Sequence, residues 1–354
     1  MNAPDRPWHY FDTVMVIDWS AAASPRQGKD SIWIALARPG EDVTAENPAT
    51  RADAMARVAE VLDAANAGGE RVLAGFDFAF GYPSRFARAF GENATWRDVW
   101  AAIAQAVEEG PANRNNRFHA AAALNDRFPG DGPFYTNGLR EDIAGLTRTL
   151  PDPWHDGLPA RRRWTDTMAP GAQEVWKLAG AGSVGSQALT GIAALERLRQ
   201  GRDDLVVWPF EMPGQGQHVL AEVYPSLIPI PDMPGMVRDE AQVRTLATRL
   251  AALDGASMEV LLHRPQALPE DARAAVCGHE AMMLAADTPQ VLRAPRKGPR
   301  GPAMPYVKDP AAIYRQSFAT VRDETRLDRF PETLRPLVVR LVHACGMVDV
   351  ADRV

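Results

Sequence analysis

The sequence predicts an α/β fold in three layers. Three observations carry this expectation: short β-branched runs that read as buried strands, segments with apolar residues at helical spacing, and alternation of the two along much of the 354-residue chain. A chain of that length can bury a large core, and residues 1–354 are read as one domain.

The elements follow in order. Residues 13–17, TVMVI, form a first strand that stops at Asp18. A polar stretch leads to SIWIALA at 31–37, a second strand halted by Pro39 and Gly40 and expected to lie antiparallel to the first. Residues 49–67 show helical apolar spacing that ends at Gly68 and Gly69. RVLAGFDFAFGYP, 71–83, supplies a third strand closing on Asp77. From about 84 to 170 short helical patterns mix with Trp, Arg, Asn and Pro, and this stretch is read as an insertion or lid packed on the core, because compact domains seldom carry so long a structureless loop. A helix follows at 186–201, then strands at 205–211 and 218–230, the second carrying Glu222 between Ala221 and Val223. Helices at 239–253 and 269–286 come next, and a basic, proline-rich loop begins at Arg293.

Composition narrows the function classes. The formal net charge of −6 argues against a broad nucleic-acid-coating surface, while a local basic groove stays compatible with it. Cys277 and Cys345 are the two cysteines and form no C-x-x-C pair, which argues against a disulfide framework or a thiolate zinc cage and for a reducing cytoplasm. The N-terminus lacks a basic region followed by a long apolar segment. No apolar run approaches the roughly 20 residues that cross a bilayer, so no membrane partner is expected.

Asp18 and Asp77 each stand where an apolar strand ends, and Glu222 repeats the arrangement in LAEVYP. A carboxylate among residues that want burial must be hydrogen-bonded, paired with a cation or bound to metal. A single strand-end Asp is more often a cap or turn residue. Three from three strands can converge only if the strands are neighbours, and they would then build an oxygen-rich cluster suited to a hard divalent cation. Glu280, in a helix-like segment, could reach the same cluster, or be an ordinary exposed glutamate.

Residues 177–191, KLAGAGSVGSQALTG, place Gly180, Gly182 and Gly185 in the G-x-G-x-x-G order of dinucleotide-binding loops. The preceding residues show no strand alternation, and Asp203 and Asp204 precede the next strand instead of following it, so no NAD or FAD cofactor site is assigned. The glycines suit a tight reversal before the helix that follows, and Ser183, Gly185 and Ser186 could hold a substrate phosphate at its N-terminus.

Taken in order, VIDWSAA, GFDFAFGYP, KLAGAGSVGSQALTGI, VWPFE and AEVYPS resemble the predicted RNase H-like nuclease family, over residues 16 to about 286. The resemblance implies a ribonuclease H-like mixed sheet flanked by helices, with a large insertion. It also implies catalytic and metal-ligating roles for Asp18, the first-strand acid, Asp77, Glu222 and Glu280, around Mg²⁺ or Mn²⁺. Related sequences favour an Asp-Ala pair where this chain has Glu280 and Ala281, so a longer arm would have to reach the same place. The implied activity is two-metal-ion hydrolysis of a phosphodiester, by a nuclease or phosphodiesterase, with nucleic acid or another phosphate-containing substrate as partner.

Two other readings stand beside it. One places the protein in cofactor biosynthesis, of cobalamin or molybdopterin guanine dinucleotide, with which relatives of this kind have been associated; the lack of a G-x-x-x-x-G-K-[ST] loop does not favour it. The other is a catalytically silent binding module. The basic segments 161–163 and 293–300 could contact phosphates or be solvated loops, and residues 113–119, NRNNRFH, could bind substrate or merely connect.

Overall fold

The computed structural model describes residues 10–214 and 216–292. By Cα proximity the chain divides into Met1–Ala294 and Pro295–Val354, and everything described belongs to the first part. The basic loop at 293–300 lies outside the described residues.

The chain forms an α/β structure around one six-stranded mixed sheet. Strands β1 (Thr13–Asp18), β2 (Trp33–Ala37) and β3 (Thr44–Glu46) make an antiparallel meander. After helix α1 (Arg51–Gly68), β4 (Val72–Phe76) returns parallel to β1. Residues that follow β4 build α2 (Arg85–Arg88), α3 (Trp96–Ala106), α4 (Arg117–Asn125) and α5 (Trp164–Met168), and then α6 (Gly185–Arg199) leads back to the sheet. Strands β5 (Leu205–Trp208) and β6 (His218–Glu222) complete the order β3-β2-β1-β4-β6-β5, with β1, β4, β6 and β5 mutually parallel. Helices α7 (Arg238–Ala251), α8 (Gly255–His263) and α9 (Glu270–Ala275) follow.

Side-chain alternation explains the three layers. Met15 and Ile17 of β1, with Ala74 and Phe76 of β4, pack against Ala54, Val58 and Leu62 of α1 and Ala188 and Ile192 of α6. Val14, Val16, Leu73 and Val219 point the other way, into a second core with Val243, Leu246 and Leu250 of α7 and Met258 and Leu261 of α8. Strands buried on both faces read as continuous apolar runs, as TVMVI and RVLAGF do.

Local signals set the helix ends. Thr50 caps α1 by accepting the Asp53 amide at 3.1 Å, and Gly69 ends it in the left-handed conformation at φ 67°. Strand β3 and helix α8 carry little or no periodicity and were not expected from the sequence. The helix expected over 269–286 also breaks up: α9 passes into a π-turn at Val276–Glu280, and Ala281 leaves it at φ 61°. Gly81 runs directly against this turn. A Cβ there would lie 2.3 Å from the His279 carbonyl oxygen and 2.5 Å from the Glu280 carbonyl carbon.

Because the obstruction at Gly81 is backbone on both sides, Gly81→Ala is expected to destabilise the protein by about 3 kcal/mol or more. Urea melts compare it with Gly278→Ala, at an open position outside the left-handed region, and equal losses in both would contradict the packing described.

Candidate functional site

Register places the sequence-derived acids. Ile17 pairs with Phe76, so Asp18 and Asp77, one residue further along, emerge side by side at the carboxyl edge of β1 and β4. Glu222 pairs with Phe76 itself and so falls on the opposite face of the sheet by the period-two alternation. The four acids therefore separate into two groups.

The first group is a carboxyl pair. Asp18 and Asp77 are half-buried and share a hydrogen bond, and the Trp19 amide donates to Asp77 Oδ1 at 2.9 Å. Burial pushes the Asp18 carboxyl up to about 7, assisted by the charges of Asp239 and Asp30 and opposed by the hydrogen bond from Asp77. Burial also raises Asp77 well above the ordinary carboxyl range, and the neighbouring Asp18 charge adds to it. The pair therefore holds on to protons that ordinary carboxyls have lost, and takes up or releases one near neutrality as a unit. Such a pair can act as a general acid or base.

The wall beside this pair is the loop after β1. Arg51 Nη1 donates to the carbonyls of Ser20 and Ala22 at 2.9 and 2.7 Å, and Gln187 Nε2 donates to the Trp19 carbonyl at 2.7 Å. Asn113 Nδ2 reaches the Ser24 carbonyl, the Gly28 amide donates to Asn47, and the Asp30 amide donates to Asp239 Oδ2 at 2.7 Å. Residues 113–119 are thus partly a structural tie, because Asn113 Oδ1 also accepts the Arg51 amide.

The second group surrounds Arg163. Its Nη1 and Nη2 donate to Glu222 Oε2 and Oε1, both at 2.7 Å, while Nη2 also reaches Asp166 Oδ1 at 2.7 Å and Nη1 the Glu280 carbonyl at 3.1 Å. The Phe80 amide donates to Glu222 Oε2 at 2.9 Å. Burial opposes the Arg163 charge, yet Asp166 and Glu222 hold the guanidinium above its ordinary range. Burial raises Glu222 against the pull of Arg163, and the bidentate geometry keeps it ionised. Glu280 is engaged through both oxygens, accepting Ser84 N and Oγ at 3.1 and 3.0 Å and Trp164 N at 2.6 Å.

This arrangement corrects the four-acid metal site. Glu222 and Glu280 have their oxygens committed to Arg163 and to backbone amides, and among the described residues no group of three or more His, Cys, Asp or Glu side chains is placed to hold a metal ion. The acids were legible from the sequence; the arginine was not, because the run ARRRW reads as solvated. Only Arg163 of that run is buried, with Asp166 one helical turn on as its signal.

Among the described residues no strand lies between α5 and α6, where the glycine-rich loop runs. The Gly185 amide donates to the Lys177 carbonyl at 2.9 Å, the Ser183 amide to the Gly180 carbonyl at 3.2 Å, and Ser186 Oγ to the Leu178 carbonyl at 2.7 Å. Among the described residues no helix is long and apolar enough to cross a membrane.

Comparison with known proteins points elsewhere than the family resemblance did. A family model for precorrin-8X methylmutase matches residues 312–354. A precorrin-8X methylmutase of Pseudomonas aeruginosa is 60% identical over 47 residues, 13% of this chain and 23% of that protein. One from a Sinorhizobium species is 50% identical over 48 residues, 14% of this chain and 23% of that protein. The chain thus spans about a quarter of the length of the curated relatives it matches, and the residues matched by the family model lie outside the described ones. No solved structure matches the chain. These matches overturn the resemblance to the predicted RNase H-like nuclease family. With it go the nuclease, hydrolase and metal-binding readings: the named relatives are methylmutases, which move a group within one molecule.

Two outcomes test the geometry. Arg163→Met leaves Glu222 and Asp166 buried without their cation and is expected to lose about 3–5 kcal/mol; adding Glu222→Leu should recover part of it, and additive losses in a denaturation cycle would contradict direct pairing. For the carboxyl pair, the folded state binds more protons than the unfolded chain between about pH 4 and Asp18's value of about 7. Its contribution to stability therefore falls as pH rises through that window, until both carboxyls have ionised in the folded state. Asp77→Asn should flatten that fall and stabilise the protein at pH 8 by about 1–2 kcal/mol, read from urea melts at several pH values; an unchanged slope would contradict the pair's hold on its protons.

Proposed function

We propose that the chain acts in cobalamin biosynthesis, as a protein carrying a precorrin-8X methylmutase-like segment at residues 312–354. One observation carries this reading, the 60% identity over 47 residues to the Pseudomonas aeruginosa methylmutase. The matched relatives are named for a methyl shift within precorrin-8X, so a tetrapyrrole precursor is the proposed substrate class. Within the described part we assign proton handling to the hydrogen-bonded pair Asp18 and Asp77, of which Asp18 is pushed up to about 7 and Asp77 well above the ordinary carboxyl range. Glu222 and Glu280 are assigned to holding Arg163 and the segment around it. The ribonuclease H-like form of the fold is likewise proposed, supported by the order β3-β2-β1-β4-β6, antiparallel up to β1 and parallel beyond it.

The test is direct. Loss of the chain from its host is expected to lower cobalamin production in medium without the vitamin, and the purified full chain is expected to perturb the visible spectrum of added precorrin-8X. Unchanged production together with an unperturbed spectrum overturns the proposal.

A further inference from the structure

Arg51 and Arg117 lie within electrostatic reach of each other, and Glu109 is the carboxylate that acts on Arg117 there. Arg51 takes that carboxylate for itself, through Nε at 2.9 Å and Nη2 at 2.5 Å, and its remaining N–H groups go to the carbonyls of Ser20, Ala22 and Asn113. Two guanidiniums thus stand against one carboxylate.

Arg117 is half-buried and pairs with no carboxylate among the described residues. Its Nε donates to Ser186 Oγ at 2.9 Å, its Nη1 to Asn115 Oδ1 at 2.9 Å, and the guanidinium lies 4.5 Å from the Phe118 ring centroid. Those contacts fix its plane and direction while neutralising nothing. Its Nη2 has no hydrogen-bond acceptor among the described residues. Burial, together with the Arg51 charge, pushes the guanidinium down to about 10, which still leaves it charged at neutral pH. A cation in this position is destabilising until an anion completes it.

The location is equally specific. Ser186 adjoins Gln187, which holds the Trp19 carbonyl, and Arg51 holds the Ser20 carbonyl, so Arg117 sits on the elements that grip the loop following Asp18. A planar guanidinium with its outer edge free matches the two oxygens of a carboxylate. We propose that Arg117, oriented by Ser186 and Asn115, binds a carboxylate group of a small-molecule ligand at the rim of the Asp18 loop. This assignment stands on the residues of the described part and is independent of the match at 312–354.

The experiment uses the full chain with ¹⁵N-labelled arginine and follows the Nε–H resonances during titration with citrate, with inorganic phosphate, and with chloride at matched ionic strength. The resonance lost in Arg117→Lys is expected to shift saturably with citrate, and the citrate dissociation constant to rise at least tenfold in that variant. Arg114→Gln, at an exposed neighbour, should change it less than twofold. If Arg117→Lys does not fold, Ser186→Ala, which removes the Nε acceptor, is expected to weaken citrate severalfold. A non-saturating shift, equal weakening in Arg114→Gln, or saturation by phosphate alone overturns the proposal.

Discussion

The structure depends most on one buried cation. Arg163 joins strand β6 through Glu222, the first turn of α5 through Asp166, and the π-turn through the Glu280 carbonyl. Glu280 in turn holds Ser84 and Trp164, so residues from four distant parts of the chain meet in one network. In a low-dielectric interior such a network is stable only when complete, since any missing partner leaves a charge without solvent or counterion. The long stretch between β4 and α6 is thereby registered to the sheet by polar contacts as well as by its aromatic packing. Tyr82, Phe86, Phe134 and Trp176 supply the latter, with ring centroids 4.8 to 5.7 Å apart.

That constraint also decides what the acids can do. A carboxylate at a strand end has the same sequence context whether its partner is a metal, a proton or an arginine. Glu222 meets an arginine and becomes structural; Asp18 and Asp77 meet each other and keep a mobile proton. The difference arises from a single residue of register, which sends Glu222 to the face opposite the aspartates.

Much of the sheet was legible in the sequence, since β1, β2, β4, β5 and β6 are dense apolar runs with clear stops, and α1 and α7 place apolar residues at helical spacing. Strand β3, TAE, is three residues with no apolar signal, and its place is fixed by pairing with β2. The expected last helix failed at Val276–Glu280 because the close approach of Gly81, a tertiary contact, shapes that turn. Asp18 and Asp77 were visible as misplaced charges in apolar strands. Arg163 and Asp239 were not, because an arginine in a basic run and an aspartate in a first helical turn look solvated until the fold surrounds them; Arg117 stood within residues 113–119, read as a substrate-binding loop or a connection, without being singled out. The family resemblance misled on activity for the same reason, because ordered motifs reported where acids stand and not what neutralises them.

The loop after β1 has a further consequence. Its carbonyls and amides are held by Arg51, Gln187, Asn113, Asn47 and Asp239, which belong to separate segments of the chain. The conformational entropy of that loop is lost at folding, so a ligand arriving beside Asp18 meets a wall already assembled. Recognition at the proposed site would accordingly be of the lock-and-key kind, with encounter rates governed by diffusion and charge and not by the closing of a gate.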